Sequence, residues 1–209
     1  MFVAVGGKGG IFVSDFDTHF IYKYDEAGRY VRRFGGPGRS VGKLGHPEGI
    51  CVDSSGHIMV VDQDNQRVVM YTGRGLYFGD EPGTGKLRGA RGVAVSPDNK
   101  IWVADRAKSR LQVYSMEGAH LYQFPQATGL GYPSKRPSDT PMFVAVDGKG
   151  DIFVSDFDTH FIYKYDEAGR YVMRFGGPGR SVGKLGHPEG ICVDSSGQLI
   201  VVDKDNQRV

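Results

Sequence analysis

The 68 residues from Met1 to Val68 recur almost unchanged as Met142 to Val209, so the fold must present one structure twice, 141 residues apart. Only seven positions differ between the copies, among them Gly6/Asp147, Arg32/Met173 and His57/Gln198. A shorter, more diverged period lies inside the long one. Four strand-like pieces recur in order: GICVD, IMVVD, RVVMY and GLYFG in the second unit, FVAV, IFVSD, FIYKY and YVRRF in the first, GVAVS, IWVAD, LQVYS and HLYQF in the third. The fourth unit repeats the first, and the fifth begins with GICVD and LIVVD.

The Asp closing each second strand marks the period. Asp15, Asp62, Asp105, Asp156 and Asp203 are spaced by 47, 43, 51 and 47 residues, and the first three spacings together make the 141-residue offset. Four short strands in about 40–50 residues are the mark of a β-propeller blade. Turn chemistry agrees, with SSG and PDN between first and second strands and DEAGR and MEGA between third and fourth. The second strands are apolar almost throughout, as expected where a sheet is covered on both faces.

The fold class is therefore an all-β propeller in a single domain, with blades at about 1–46, 47–89, 90–140, 141–187 and a partial 188–209. Doubling a three-blade unit predicts a six-bladed ring, of which this chain is a fragment. Met1 aligns with the internal Met142, and Val209 falls inside a strand that continues past Val68 in the second unit. An open ring is expected to expose strand edges and apolar blade faces.

Composition fits this fold. Glycine reaches 32 of 209 residues and aromatics 11%, a mixture of turn-formers and strand-formers. The net charge of +2 gives no whole-chain case for DNA or an anionic membrane. Cys51 and Cys192 both sit in GICVD. Two thiols supply neither a tetrahedral zinc site nor a disulfide scaffold, which favours a reducing, cytoplasmic setting. No apolar run is long enough to span a bilayer, and MFVAVGGKGG lacks the features of a secretory leader.

HPEGICVDSSGHIMVVDQDNQRVVMY and ARGVAVSPDNKIWVADRAKSRLQVYSMEG resemble NHL repeats, with a Pro-x-Gly start, a V-x-D strand end and an Asp…Asn-x-Arg hairpin. The resemblance covers the whole chain and is best in blades two, three and five. Blades one and four depart from it, with Phe20 and Phe161 in place of the Arg. It implies a module like those of tripartite-motif and other RING-type ubiquitin ligases, which bind proteins or RNA. It also implies kinship with the propeller of peptidyl-amidating lyase, whose channel carries zinc-binding histidines.

Three sets of residues are site candidates. Asp62 with Arg67, Asp105 with Arg110 and Asp203 with Arg208 are expected to be structural clasps, because a guanidinium can pair with a carboxylate across the turn. Met1, Glu48, Arg91, Met142 and Glu189 precede the innermost strands and are expected at the rim of the channel. The connections between blades carry Arg39, Lys43, His46, Lys86, Arg88, Arg91, Tyr132, Lys135, Arg136, Arg180 and Lys184, cations with an aromatic that could hold phosphates and stack a base of single-stranded or structured RNA. The neighbouring Asp15, Asp17, Asp62 and Asp64 make that face mixed rather than uniformly basic. The 125–141 connection is read as a surface loop, where specificity often resides.

No nucleophile–base constellation stands out, and His19, His160, His57 and His120 take the default reading of satisfied or solvated side chains. The resulting expectation is a non-catalytic module without cofactor that recognises protein or RNA, the substrate-recognition end of a RING-type ligase. One alternative is a propeller lyase or lactonase with His46, Glu48, His187 and Glu189 lining a metal channel. The other is an extracellular sensor propeller.

Overall fold

The computed structural model describes residues 1–7, 9–71, 76–78 (backbone), 85–124 and 140–209. Four four-stranded antiparallel sheets follow one another along the chain. They comprise β1–β4 (Phe2–Val5, Ile11–Asp15, Phe20–Tyr24, Tyr30–Gly35), β5–β8 (Pro47–Val52, Ile58–Asp62, Arg67–Tyr71, Leu76–Phe78), β9–β12 (Ala90–Val95, Lys100–Asp105, Arg110–Ser115, His120–Phe124) and β13–β16 (Pro141–Val146, Ile152–Asp156, Phe161–Tyr165, Tyr171–Gly176). A two-stranded sheet, β17 (Pro188–Val193) with β18 (Leu199–Asp203), follows them. Among the described residues the sole helical element is a single 3₁₀ turn, Arg106–Lys108.

Each sheet is a simple meander, because four- or five-residue turns rich in Gly, Asp and Ser can only join antiparallel neighbours. The five first strands lie beside one another around a common axis, and the sheets stack face to face around it. Blades two and three meet through Met59, Val61, Val68, Ile101 and Val103, all fully buried. Trp102, Leu111, Val113 and Phe124 of blade three meet Val144, Ile152 and Val154 of blade four in the same way. Polar tethers cross the seams as well. Ser14 donates to the Glu48 carbonyl at 2.6 Å, and its counterpart Ser155 donates to the Glu189 carbonyl at 2.7 Å.

The repeat provides an internal control on how far the stack extends. Val3 of blade one is 63% exposed, whereas its counterpart Val144, covered by blade three, is 4% exposed. Val202 of blade five is 42% exposed, whereas the matching Val61, also covered by blade three, is fully buried. The sequence positions are equivalent; only the neighbour differs. Each such aliphatic side chain left in water forgoes about 1.5–3 kcal/mol of burial.

Candidate recognition surface

The Asp-to-Arg hairpin builds this surface. Asp62 ends β6 and is fully buried. It accepts hydrogen bonds from Arg67 Nε at 3.0 Å, Asn65 Nδ2 at 2.7 Å and the Gly45 N–H at 2.7 Å. The rest of the Arg67 guanidinium reaches into the connection from the preceding blade, donating to the carbonyls of Arg39 and Lys43, each at 2.9 Å. The fork suits this task because its donors are rigid, planar and permanently charged. Blade five repeats the pattern, with Arg208 donating to Asp203 at 2.8 Å, to the Arg180 carbonyl at 3.1 Å and to the Lys184 carbonyl. In blade three, Arg110 holds Asp105 at 3.2 Å and the Lys86 carbonyl at 2.9 Å, and Gln112 gives Asp105 a further bond at 2.8 Å.

Burial sets how these carboxylates titrate. Burial raises the Asp105 carboxyl above its ordinary value, against the hydrogen bonds from the Arg88 N–H and Gln112 and the charge of Arg110. Burial also pushes Asp203 upward, but bonds from Asn206, the Gly186 N–H and Arg208 outweigh it there, and the carboxyl lies below its ordinary value. The fourth residue after the Asp that ends each second strand is left-handed in every blade: His19, Gln66, Ser109, His160 and Gln207 have φ between 53° and 62°. The hairpin is thus one backbone shape repeated, whatever the side chain.

Blades one and four show what replaces the clasp. Arg33 stacks over the Phe20 ring at 4.2 Å, and Arg174 over Phe161 at 4.2 Å. Gly36 is obligatory beneath Phe20: its φ is 84° and a Cβ would lie 3.0 Å from the ring. Thr18 Oγ1 donates to Asp15 at 2.8 Å.

With their backbones fixed, the connections project Arg39, Lys43, Arg88, Arg180 and Lys184 into solvent, with Lys86 half-buried beside them. Arg39 Nε donates to Asn65 Oδ1 at 3.1 Å, which ties the exposed cation to the hairpin of the next blade. Tyr132, Lys135 and Arg136, also expected on this surface, lie outside the described residues. Sequence reasoning missed Phe16 and Phe157, half-buried at the hairpin position that is Gln63 in blade two and Arg106 in blade three. Phe16 stacks on His46 with centroids 5.1 Å apart. Phe157 packs on His187 at 4.3 Å, with Arg106 and Lys204 over its ring at 5.9 and 5.7 Å. Their signal was available in the DFDTH sequence, where an aromatic stands in a polar turn.

The rim residues require a correction. Glu48, Arg91, Met142 and Glu189 do not precede the innermost strands but occupy the second position of β5, β9, β13 and β17. Glu48 is only 2% exposed and pairs with Arg91 Nη1 at 3.1 Å, with His46 Nδ1 at 3.5 Å. Burial raises its carboxyl above the ordinary value; Arg91 and His46 oppose the rise and Glu189 adds to it. Met142 is buried, whereas Met1 is exposed. Glu189 pairs instead with Lys204 at 2.9 Å, and His187 with Asp205 at 2.5 Å. His187 and Glu189 therefore go to separate partners while His46 lies against Glu48, and among the described residues no three His, Cys, Asp or Glu side chains converge as metal ligands.

Four-stranded blades stacked by their faces around a shared axis define a β-propeller, and solved propeller-type structures overlay the chain throughout. A virginiamycin B lyase from Staphylococcus aureus matches 97% of this chain and 62% of its own, with TM-score 0.68 and 15% identity. A nidogen/laminin complex matches 98% of this chain and 72% of its own, with TM-score 0.69 and 18% identity. A gluconolactonase from Xanthomonas campestris matches 96% and 68%, with TM-score 0.68 and 16% identity. At these identities the likeness is one of fold.

The sequence narrows the class. The NHL repeat model matches residues 44–71, 87–114 and 185–209, so blades two, three and five carry NHL repeats. The B-box type zinc finger protein ncl-1 of Caenorhabditis elegans is 41% identical over 54 residues, covering 26% of this chain and 6% of that protein. Protein brain tumor of Drosophila melanogaster is 27% identical over 185 residues, covering 86% of this chain and 12% of that protein. The chain thus spans a small part of the length of either relative.

Proposed function

We propose that this chain is a recognition module whose clasped face binds a protein or RNA ligand, and that it serves as the substrate-recognition end of a cytoplasmic RING-type ubiquitin ligase. The observation that carries the reading is the Arg67 fork holding the Arg39 and Lys43 carbonyls. It fixes exposed cations on a prepared backbone, so binding need not spend free energy on ordering the loop. Relatives that carry the same repeats support the kind of module. The exposed cations and the half-buried Phe16 and Phe157 supply charge and stacking surface for an RNA strand or an acidic protein. The engagement of Glu48 by Arg91, His187 by Asp205 and Glu189 by Lys204 argues against the lyase-type channel.

The test is affinity capture from a cell extract with the chain and with Arg39→Glu/Lys43→Glu/Arg88→Glu. The reading expects a protein or RNA retained by the parent chain to be lost by the triple variant, whose melting temperature is unchanged. Equal retention would rule out this face.

A further inference from the structure

The seven differences between the two copies are not spread evenly. They fall at Gly6, Gly10, Arg32, His57, Ile58, Met59 and Gln63, and the first five line two adjoining clefts of about 780 and 460 Å³ on the seam between blades one and two. Exposure alone does not account for this. Val182 is almost wholly exposed, yet Val41 and Val182 are the same residue, as are the exposed Arg39 and Arg180. The clefts open at the end of the propeller opposite the clasped hairpins, among the turns at 6–10, 25–29 and 53–57, and share Phe12 and Lys23.

Glycine keeps this seam open. A Cβ at Gly10 would lie 3.5 Å from the Phe12 ring and 3.7 Å from Lys23 Cε. In the second copy that space is used: Asp151 replaces Gly10 and holds Lys164, the counterpart of Lys23, at 2.7 Å. Without that carboxylate, Lys23 lies over Phe12 at 5.5 Å and Arg32 over Phe34 at 5.8 Å. Among the described residues neither has an acidic partner. Asp25 on these walls is already engaged by Arg29 and the buried Asp53 next to them by His57, each at 2.8 Å, and Glu26 stands at the lip beside Gly9. Across the copies, Gly6→Asp, Gly10→Asp and Arg32→Met make the second seam three charges more negative than the first.

We infer that the seam between blades one and two is a recognition groove for an extended acidic peptide, and that the matching seam between blades four and five is closed to it by charge. Carboxylates on alternate residues of an extended segment share one face and would reach Lys23 and Arg32, while the residues between them face the other way. Two free cations beside a glutamate are too few for a nucleic-acid backbone, whose binding rests on many phosphate contacts. The groove and the clasped face lie at opposite ends of the blades, so this inference stands apart from the proposed function.

The test uses fluorescence anisotropy of a labelled peptide of alternating glutamate and leucine, with the whole chain and with Gly6→Asp/Gly10→Asp/Arg32→Met. These substitutions are ones the second copy already accommodates, and an unchanged melting curve verifies folding. The expected result is binding by the parent chain and a loss of about tenfold or more in the variant, since charge complementarity is inverted. No binding by the parent chain, or equal binding by both, overturns the inference. A labelled oligouridine that binds the parent chain more tightly than the peptide and is lost in the same variant also overturns it, in favour of RNA.

Discussion

Phe2 and Phe143, the same position in the two copies of the long repeat, meet across the propeller axis with ring centroids 5.0 Å apart and planes tilted by 42°. The pair also places aromatic surface where the channel would otherwise run. Phe143 is almost wholly buried and Phe2 only partly. Phe143→Ala is therefore expected to cost about 3–5 kcal/mol and Phe2→Ala distinctly less. A double-mutant cycle by urea unfolding should return a coupling of about 0.5–1.5 kcal/mol; strict additivity would mean that the contact adds nothing.

The two ends of the stack ask for the same neighbour. Blade five exposes the face that blade two buries against blade three, and blade one exposes the face that blade four buries against the other side of blade three. A unit with the surfaces of blade three fits between them. A chain extended past Val209 by a second copy of residues 69–141 is expected to melt higher and to bind less of an apolar dye. An unchanged melting temperature would mean that the open faces are not complementary to such a blade.

The clasp should matter in proportion to its burial. The Arg67 side chain is 3% exposed and that of Arg208 37%, although both make the same bonds. Arg67→Ala leaves the buried Asp62 carboxylate without its counter-charge and takes a donor from two loop carbonyls, at an expected cost of about 3–5 kcal/mol. Arg208→Ala should cost no more than about 1 kcal/mol. Equal losses in chemical denaturation would show that burial does not set the worth of the clasp.

Much of this was legible in the sequence because each blade repeats it. Strands such as Phe2–Val5 and Ile58–Asp62 follow directly from the recurring FVAV and IMVVD segments, and the Asp-to-Arg spacing pointed to a clasp. What the spacing did not contain was the second half of the clasp. The carbonyls that Arg67 holds belong to residues 24–28 positions away, and only the folded seam brings them near. The Glu48–Arg91 pair was hidden for the same reason, since its members lie 43 residues apart on different blades. Phe2 and Phe143 look like ordinary inward-facing strand residues until the axis is drawn.

His120 supplies a pH dependence. Burial, aided by the charge of Arg110, holds its imidazole below the ordinary histidine value, and its Nε2 is buried without a partner among the described residues. The unfolded chain therefore binds this proton more readily than the folded one. Its contribution is complete above the unfolded value, and stability falls as pH drops through that value toward the folded one. Between about pH 7 and pH 5 the melting temperature should fall more steeply for the parent chain than for His120→Gln. Parallel curves would place the effect elsewhere.

The central claim is that the clasped connections form the recognition face, and photo-crosslinking tests it most directly. A photoreactive residue at Val41, exposed on the connection held by Arg67, is compared in cells with one at Leu121, exposed on the outer strand of blade three. The account predicts a discrete protein or RNA adduct from position 41 that disappears with Arg39→Glu/Lys43→Glu/Arg88→Glu, and none from position 121. Adducts that form equally from both positions, or that survive the charge reversal, would contradict it.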